Sequence, residues 1–248
     1  MSAARRLQLE STGPALPGAG LSHLAQRLEA LGYPVVEVET QEGARALLVD
    51  RGGSGRAAIL PLALADRTGG RLEGMVRALR SLAPTRRLVP LGFGSLPAAV
   101  QRQRLRDAGI ELLLCEPLDA HVLRFQVNRA LAAGPLPPRL ARRAPVGREV
   151  AVRGRLRTRS IPVYTLSTQG AFLLTDRPLA PGRRLLLEVP VGLMRARARA
   201  RVVMANPPGA SADPSLPPGM AVAFDALDAP SAAVINRLVD ERLAGLAA

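Results

Sequence analysis

Apolar and polar positions follow two rhythms along this chain, and the rhythm changes near residue 134. Upstream, helical spacing alternates with short apolar runs. Leu21, Leu24, Leu28 and Leu31 fall on one helix face that Gly32 ends, and Leu72, Val76, Leu79 and Leu82 fall on another. The pattern predicts helices over 21–31, 41–50, 72–82, 97–108 and 119–132, the last capped by Asp119. Residues 5–10, 35–38, 57–60, 87–91 and 110–114 read as strands. Five strands alternating with five helices imply an α/β domain, doubly wound about a parallel sheet.

Residues 134–138, Gly-Pro-Leu-Pro-Pro, form a stiff linker between a domain over 1–133 and a second over 139–248. Beyond the linker the period drops to two. Strands are expected over 149–157, 160–166, 171–175, 184–189, 194–204 and 220–224, with a Pro/Gly/Ala loop over 206–219. A helix over 231–243, with Val234, Leu238 and Val239 inward, closes the chain. Six short antiparallel strands and one helix describe a small β-barrel with a closing helix.

Composition narrows the chemistry. Apolar residues make up 48% and aromatics 2%, so the cores must be Leu, Val and Ala. One cysteine, Cys115, excludes a disulfide framework and any multi-cysteine metal site, and fits a reducing compartment. Cys115 and His121 read as a buried strand-end thiol and a helix-start imidazole rather than a reactive pair. Without a Ser/His/Asp set, a metal cluster or a phosphate loop (Gly92-Phe93-Gly94-Ser95 is too short and has no Lys), no enzyme is expected. No leader-like apolar region opens the chain, and no run approaches the roughly 20 apolar residues that span a bilayer, so a cytoplasmic protein without membrane insertion is expected.

Net charge is +14, and every basic side chain is Arg. Up to Gly134 there are 17 Arg against 12 acids, and beyond it 17 against 8, so the second domain is the more basic. Guanidinium forks suit phosphate and guanine edges, so an anionic partner is expected. Residues 195–201 alternate Arg and Ala strictly. On a strand this puts four guanidiniums on one face. The run reads first as a solvated edge that blocks aggregation, and otherwise as an anion-binding ladder. Nucleic-acid binding is disfavoured, because few aromatics are available for stacking.

The first domain resembles the receiver domain of response regulators. Residues 28–37 (Leu-Glu-Ala-Leu-Gly-Tyr-Pro-Val-Val-Glu) and 114–119 (Leu-Cys-Glu-Pro-Leu-Asp) carry the likeness. The resemblance implies an acidic pair for Mg²⁺, an acceptor Asp, a hydroxyl and a Lys. Here those positions fall on Glu10 and Ser11, on Pro61, near Gly92 with Ser95 as a stand-in, and on Glu116. Asp66 reads as a loop acid. The implied module is a pseudo-receiver that docks a protein partner or a second copy without being phosphorylated.

The second domain is similar to the PilZ domain, which binds cyclic di-GMP. Arg139 and Arg143 match its RxxxR segment. Ser167 and Gly170 match its [D/N]xSxxG motif, with Thr165 in the Asp/Asn place. The resemblance implies that Arg139 and Arg143, aided by Arg142, hold phosphate and guanine, and that Thr165, Ser167 and Gly170 line the site. The expected function is a non-enzymatic signalling protein that senses cyclic di-GMP. The alternative is a motility or polarity adaptor of the same fold that no longer binds nucleotide.

Overall fold

A computed structural model describes residues 6–10, 18–38, 43, 46, 55–63, 71–82, 88–132, 142–153, 158–191, 194–213 and 215–248, without the side chains of 6–10, 18, 19, 55, 56, 71, 72, 82 and 226. The linker, Arg139, Ser11, Asp66 and all but residues 43 and 46 of the helix expected over 41–50 lie outside the described residues. The chain divides into two compact units, Met1–Pro137 with Gly245–Ala248, and Pro138–Ala244.

The first unit contains β1 (Arg6–Glu10), α1 (Gly18–Ala30), β2 (Val35–Val38), β3 (Gly55–Pro61), α2 (Arg71–Leu82), β4 (Val89–Ser95), α3 (Ala99–Asp107), β5 (Leu112–Glu116) and α4 (Ala120–Leu131). The strands form one sheet in the order β2-β1-β3-β4-β5, and every pairing is parallel. Alternate residues of each strand serve opposite faces. Ala57, Ile59, Leu112 and Leu114 pack with Leu24 and Leu28 of α1 and with Leu123, Val127 and Leu131 of α4. Ala58, Leu60 and Leu113 pack with Met75, Val76 and Leu79 of α2 and with Leu105 of α3. This is a doubly wound sheet with two Leu/Val/Ala cores. The apolar face of α4 is therefore spent on the unit's own core.

The end of the chain returns to this sheet. The Leu113 amide donates to the Leu246 carbonyl, the Ala248 amide donates to the Glu111 carbonyl, and Leu112 bridges Ala247 antiparallel. The fully buried Gln126 amide donates both to Leu113 O (2.9 Å) and to Leu246 O (2.7 Å). The outer edge of β5 is thus paired rather than left open.

The second unit contains β6 (Ala144–Arg153), β7 (Thr158–Ser167), β8 (Gly170–Leu174), β9 (Arg184–Val191), β10 (Met194–Asn206), β11 (Gly219–Ala226) and α5 (Ala229–Ala244). The strands close into an antiparallel barrel in the order β10-β11-β8-β7-β6-β9. Val150, Val152, Leu187, Ala196, Ala198, Ala200 and Val202 are buried, as are Ile235, Leu238 and Val239 of the closing helix. The fold class read from the sequence is the one observed.

Two boundaries and one strand's setting differ from expectation in ways that bear on the sites. β6 starts at residue 144 rather than 149, because a register shift between Pro145 and Arg148 breaks the two-residue alternation. β4 runs to Ser95, so Gly92-Phe93-Gly94-Ser95 is strand, in register with 113–116 of β5. β10 is paired by β9 along 194–201 and by β11 along 199–206, so the Arg/Ala run has a strand on both sides only from Arg199 to Arg201.

Candidate functional site

In the first unit the receiver-like positions gather at the carboxyl ends of the parallel strands, where ligands bind in this architecture. Pro61 ends β3, Glu10 ends β1 and Glu116 ends β5. The space there is filled by Leu62, which is buried. A Cβ on Gly92 would lie 2.5 Å from Leu62 Cδ2 and 3.0 Å from Leu113 Cδ2. Glycine at 92 is thus what admits the leucine. An apolar side chain beside a proline, in place of a carboxylate, offers no oxygen to a phosphoryl group or to Mg²⁺. Among the described residues, no three His, Cys, Asp or Glu side chains gather as a metal site.

Cys115 is half-buried near the end of β5. Burial raises its thiol above the ordinary value, and the nearby Arg102 guanidinium partly offsets that. The sulfur is therefore less a thiolate than a free cysteine and a weaker nucleophile. Asp119 caps α4 as expected, its carboxylate accepting from the amides of His121 (2.7 Å) and Val122 (3.4 Å).

In the second unit the motif residues converge. β7 and β8 form a hairpin through the turn Thr168-Gln169, with Ser167 opposite Gly170. The Ser167 hydroxyl donates to the Gly170 carbonyl (3.2 Å) and accepts from the Gln169 amide (3.3 Å), which locks the turn. Gly170 lies against β11, and a Cβ there would sit 2.1 Å from the Val222 carbonyl oxygen. Thr165 stands between Pro145 of β6 and Phe172 of β8. Thr165 and Ser167 are 3% and 2% exposed, so both side chains belong to the barrel wall.

The pairing of Ala144 with Leu166 brings the arginine segment to the same end of the barrel as this hairpin. Arg143 is half-buried there, and Arg142 is exposed. The Arg142 guanidinium lies 2.6 Å from an Asp240 carboxylate oxygen on α5. Both partners are more than half exposed, so the pair holds Arg142 loosely. Gln169, exposed in the turn, lies inside the motif between Ser167 and Gly170.

Sequence reasoning missed Glu188, because only the folded register reveals it. Glu188 is 3% exposed and sits opposite Arg197 of β10 and Ala151 of β6. Its carboxylate lies 3.2 Å from Arg153, 3.1 Å from Arg197 and 3.8 Å from Arg195.

The chain matches no protein-family profile and no curated protein. Solved structures resemble parts of it. A pilus assembly-related protein from Burkholderia pseudomallei aligns at 20% identity over 52% of this chain and 91% of that one, with a TM-score of 0.41. A two-component response regulator from Clostridium difficile aligns at 16% identity over 52% of this chain and 97% of that one, with a TM-score of 0.39. The Bacillus subtilis inhibitor of motility aligns at 15% identity over 44% of this chain and 53% of that one, with a TM-score of 0.35. At these scores the likenesses carry no argument about function, and the fold class stands on strand order and pairing.

Proposed function

We propose that this chain is a non-enzymatic, cytoplasmic signalling adaptor. Its barrel binds cyclic di-GMP, and its receiver-like unit docks a protein partner or a second copy. The observation that supports the ligand reading is the β6–β7 register: Ala144, next to Arg143, pairs with Leu166 and Pro145 with Thr165, so the arginine segment enters β6 at the end of β7 that carries the hairpin. Guanidinium forks fit both the phosphates and the guanine edge of such a ligand. Arg139 completes the RxxxR pair by sequence. The exposed Arg142–Asp240 pair is worth about 0–1 kcal/mol, so a phosphate can take the guanidinium over. Thr165 supplies a hydroxyl where the resemblance has a carboxylate or amide, which weakens guanine binding by about 1–3 kcal/mol. Pro61 and Leu62 leave the phosphoryl position without its chemistry, which supports a docking role over a phosphoryl-accepting one.

Titration calorimetry with cyclic di-GMP at physiological salt tests the ligand reading. Saturable heat that Arg143→Ala removes supports it. No heat up to about 100 μM ligand, or about 5.5 kcal/mol of binding free energy, rejects it.

One observation favours the second reading, an adaptor that binds no nucleotide. Ser167 locks a turn and Gly170 admits the Val222 carbonyl, so both persist for the fold alone. That reading predicts a partner pull-down unchanged by substitution of Arg139 and Arg143.

A further inference from the structure

The Arg/Ala run lies on the wall of a closed barrel. β10 bonds to β9 along 194–201 but to β11 only along 199–206; on its other side along 194–198 the Arg197 amide donates instead to Ser231 Oγ of the closing helix (3.2 Å). Ala196, Ala198 and Ala200 are 1% exposed and fill the interior. The side chains of Arg195, Arg197 and Arg201 are 57–70% exposed on the outside, and Arg199 is exposed between them. Four like charges along one strand face repel each other and do no packing; Arg199 and Arg201 have a strand on both sides and the Arg197 amide is taken by the closing helix, so neither core formation nor edge protection accounts for all four.

Neighbouring strands extend the charge. Arg153 of β6 and Arg199 of β10 flank Leu186 of β9 in one cross-strand row, and Arg184 of β9 faces Arg201. The buried Glu188 draws Arg153, Arg195 and Arg197 together and cancels one charge of the three. It fixes the guanidiniums before any partner arrives, which lowers the ordering cost of binding. Arg199 has no ionic partner among the described residues, and Arg201 reaches Asp225 only at 4.0 Å.

We infer that this wall, β10 with the flanking parts of β6 and β9, is a docking surface for an extended acidic segment of a partner protein. Spacing supports that occupant. Alternate residues of a strand are about 6.8 Å apart, so the Arg195–Arg201 ladder repeats at the period of carboxylates on every second residue of an extended chain. The half-buried Leu186 and the exposed Val203 give such a segment apolar contacts between its charges. Base stacking has no platform here, because the residues of this wall include no aromatic side chain. The inference is independent of cyclic di-GMP binding.

Fluorescence anisotropy on the full chain tests it, with labelled Glu-Thr-Glu-Thr-Glu-Thr-Glu and its isomer Glu-Glu-Glu-Glu-Thr-Thr-Thr as probes. The alternating peptide should bind about tenfold more tightly than the blocked one, which matches a difference of one charge-assisted contact. Arg199→Gln, which breaks no ion pair of the described residues, should weaken the alternating peptide about tenfold. Arg237→Gln, exposed on α5, should leave binding unchanged. Equal affinity for the two isomers, indifference to Arg199→Gln, or equally tight binding of a charge-matched single-stranded DNA would overturn the inference.

Discussion

Gly170 has no room for a side chain. With the Val222 carbonyl oxygen 2.1 Å from where a Cβ would sit, Gly170→Ala must push β8 away from β11. Overpacking of this kind costs about 1–3 kcal/mol. Urea unfolding should show that loss, with an unchanged slope if the unfolded state is untouched. The residue was legible in sequence as a motif position, and its reason lay in a strand fifty residues away. The same holds for Glu188. Its partners come from β6 and β10, and no spacing within β9 announces them. The serine of the motif was legible too, but its hydroxyl works on the hairpin turn, with bonds of 3.2 and 3.3 Å that a ligand would have to share.

Elements with a plain period were readable, and elements that break their period were not. The apolar positions of α1, α2 and α4 gave both faces of the sheet their partners. β6 was cut short because its bulge interrupts the alternation. β4 reads short in sequence because its two glycines resemble a loop, whereas in the fold Leu62 packs over them. Helix α5 carries a pH-dependent cap. Asp228 Oδ1 accepts from the Ser231 amide at 2.7 Å, and that bond, then a side-chain bond to Ser231, lowers the carboxyl below its ordinary value. A lowered folded-state value stabilises the protein above the unfolded value and stops doing so as pH falls through the folded one. Asp228→Ala should therefore lower the melting temperature at neutral pH, and the gap to the parent should shrink as pH drops below 3.8. A gap independent of pH would contradict this. At the other edge of the chain, Gln126 holds the returning tail. Gln126→Ala strips a donor from the Leu113 and Leu246 carbonyls, and hydrogen exchange at the Leu113 amide should accelerate while the amides of β3 hold their protection.

At the scale of the whole molecule, two units share one chain and divide its charge unevenly, with the greater excess of Arg in the barrel half. The first unit has the strand order of a receiver-like sheet, with Pro61 and Leu62 where the chemistry would stand. The second has a closed barrel in which the start of β6, just after Arg143, pairs with the end of β7. Both architectures were legible because each repeats a single period many times. The barrel was legible but not which strands close it, since β9 pairing with β6 joins strands that sequence order keeps apart. The pairing also sets Arg199 and Arg201 of the ladder between two strands, while 195–198 pair with β9 alone. The central claim is that the arginine segment and the Thr165–Gly170 hairpin form one ligand site. It is tested most directly by calorimetric titration of the full chain with cyclic di-GMP, beside Arg143→Ala. The account predicts saturable heat with a dissociation constant below about 100 μM for the parent and none for the variant. Absence of heat from the parent, or equal heat from both, would contradict it.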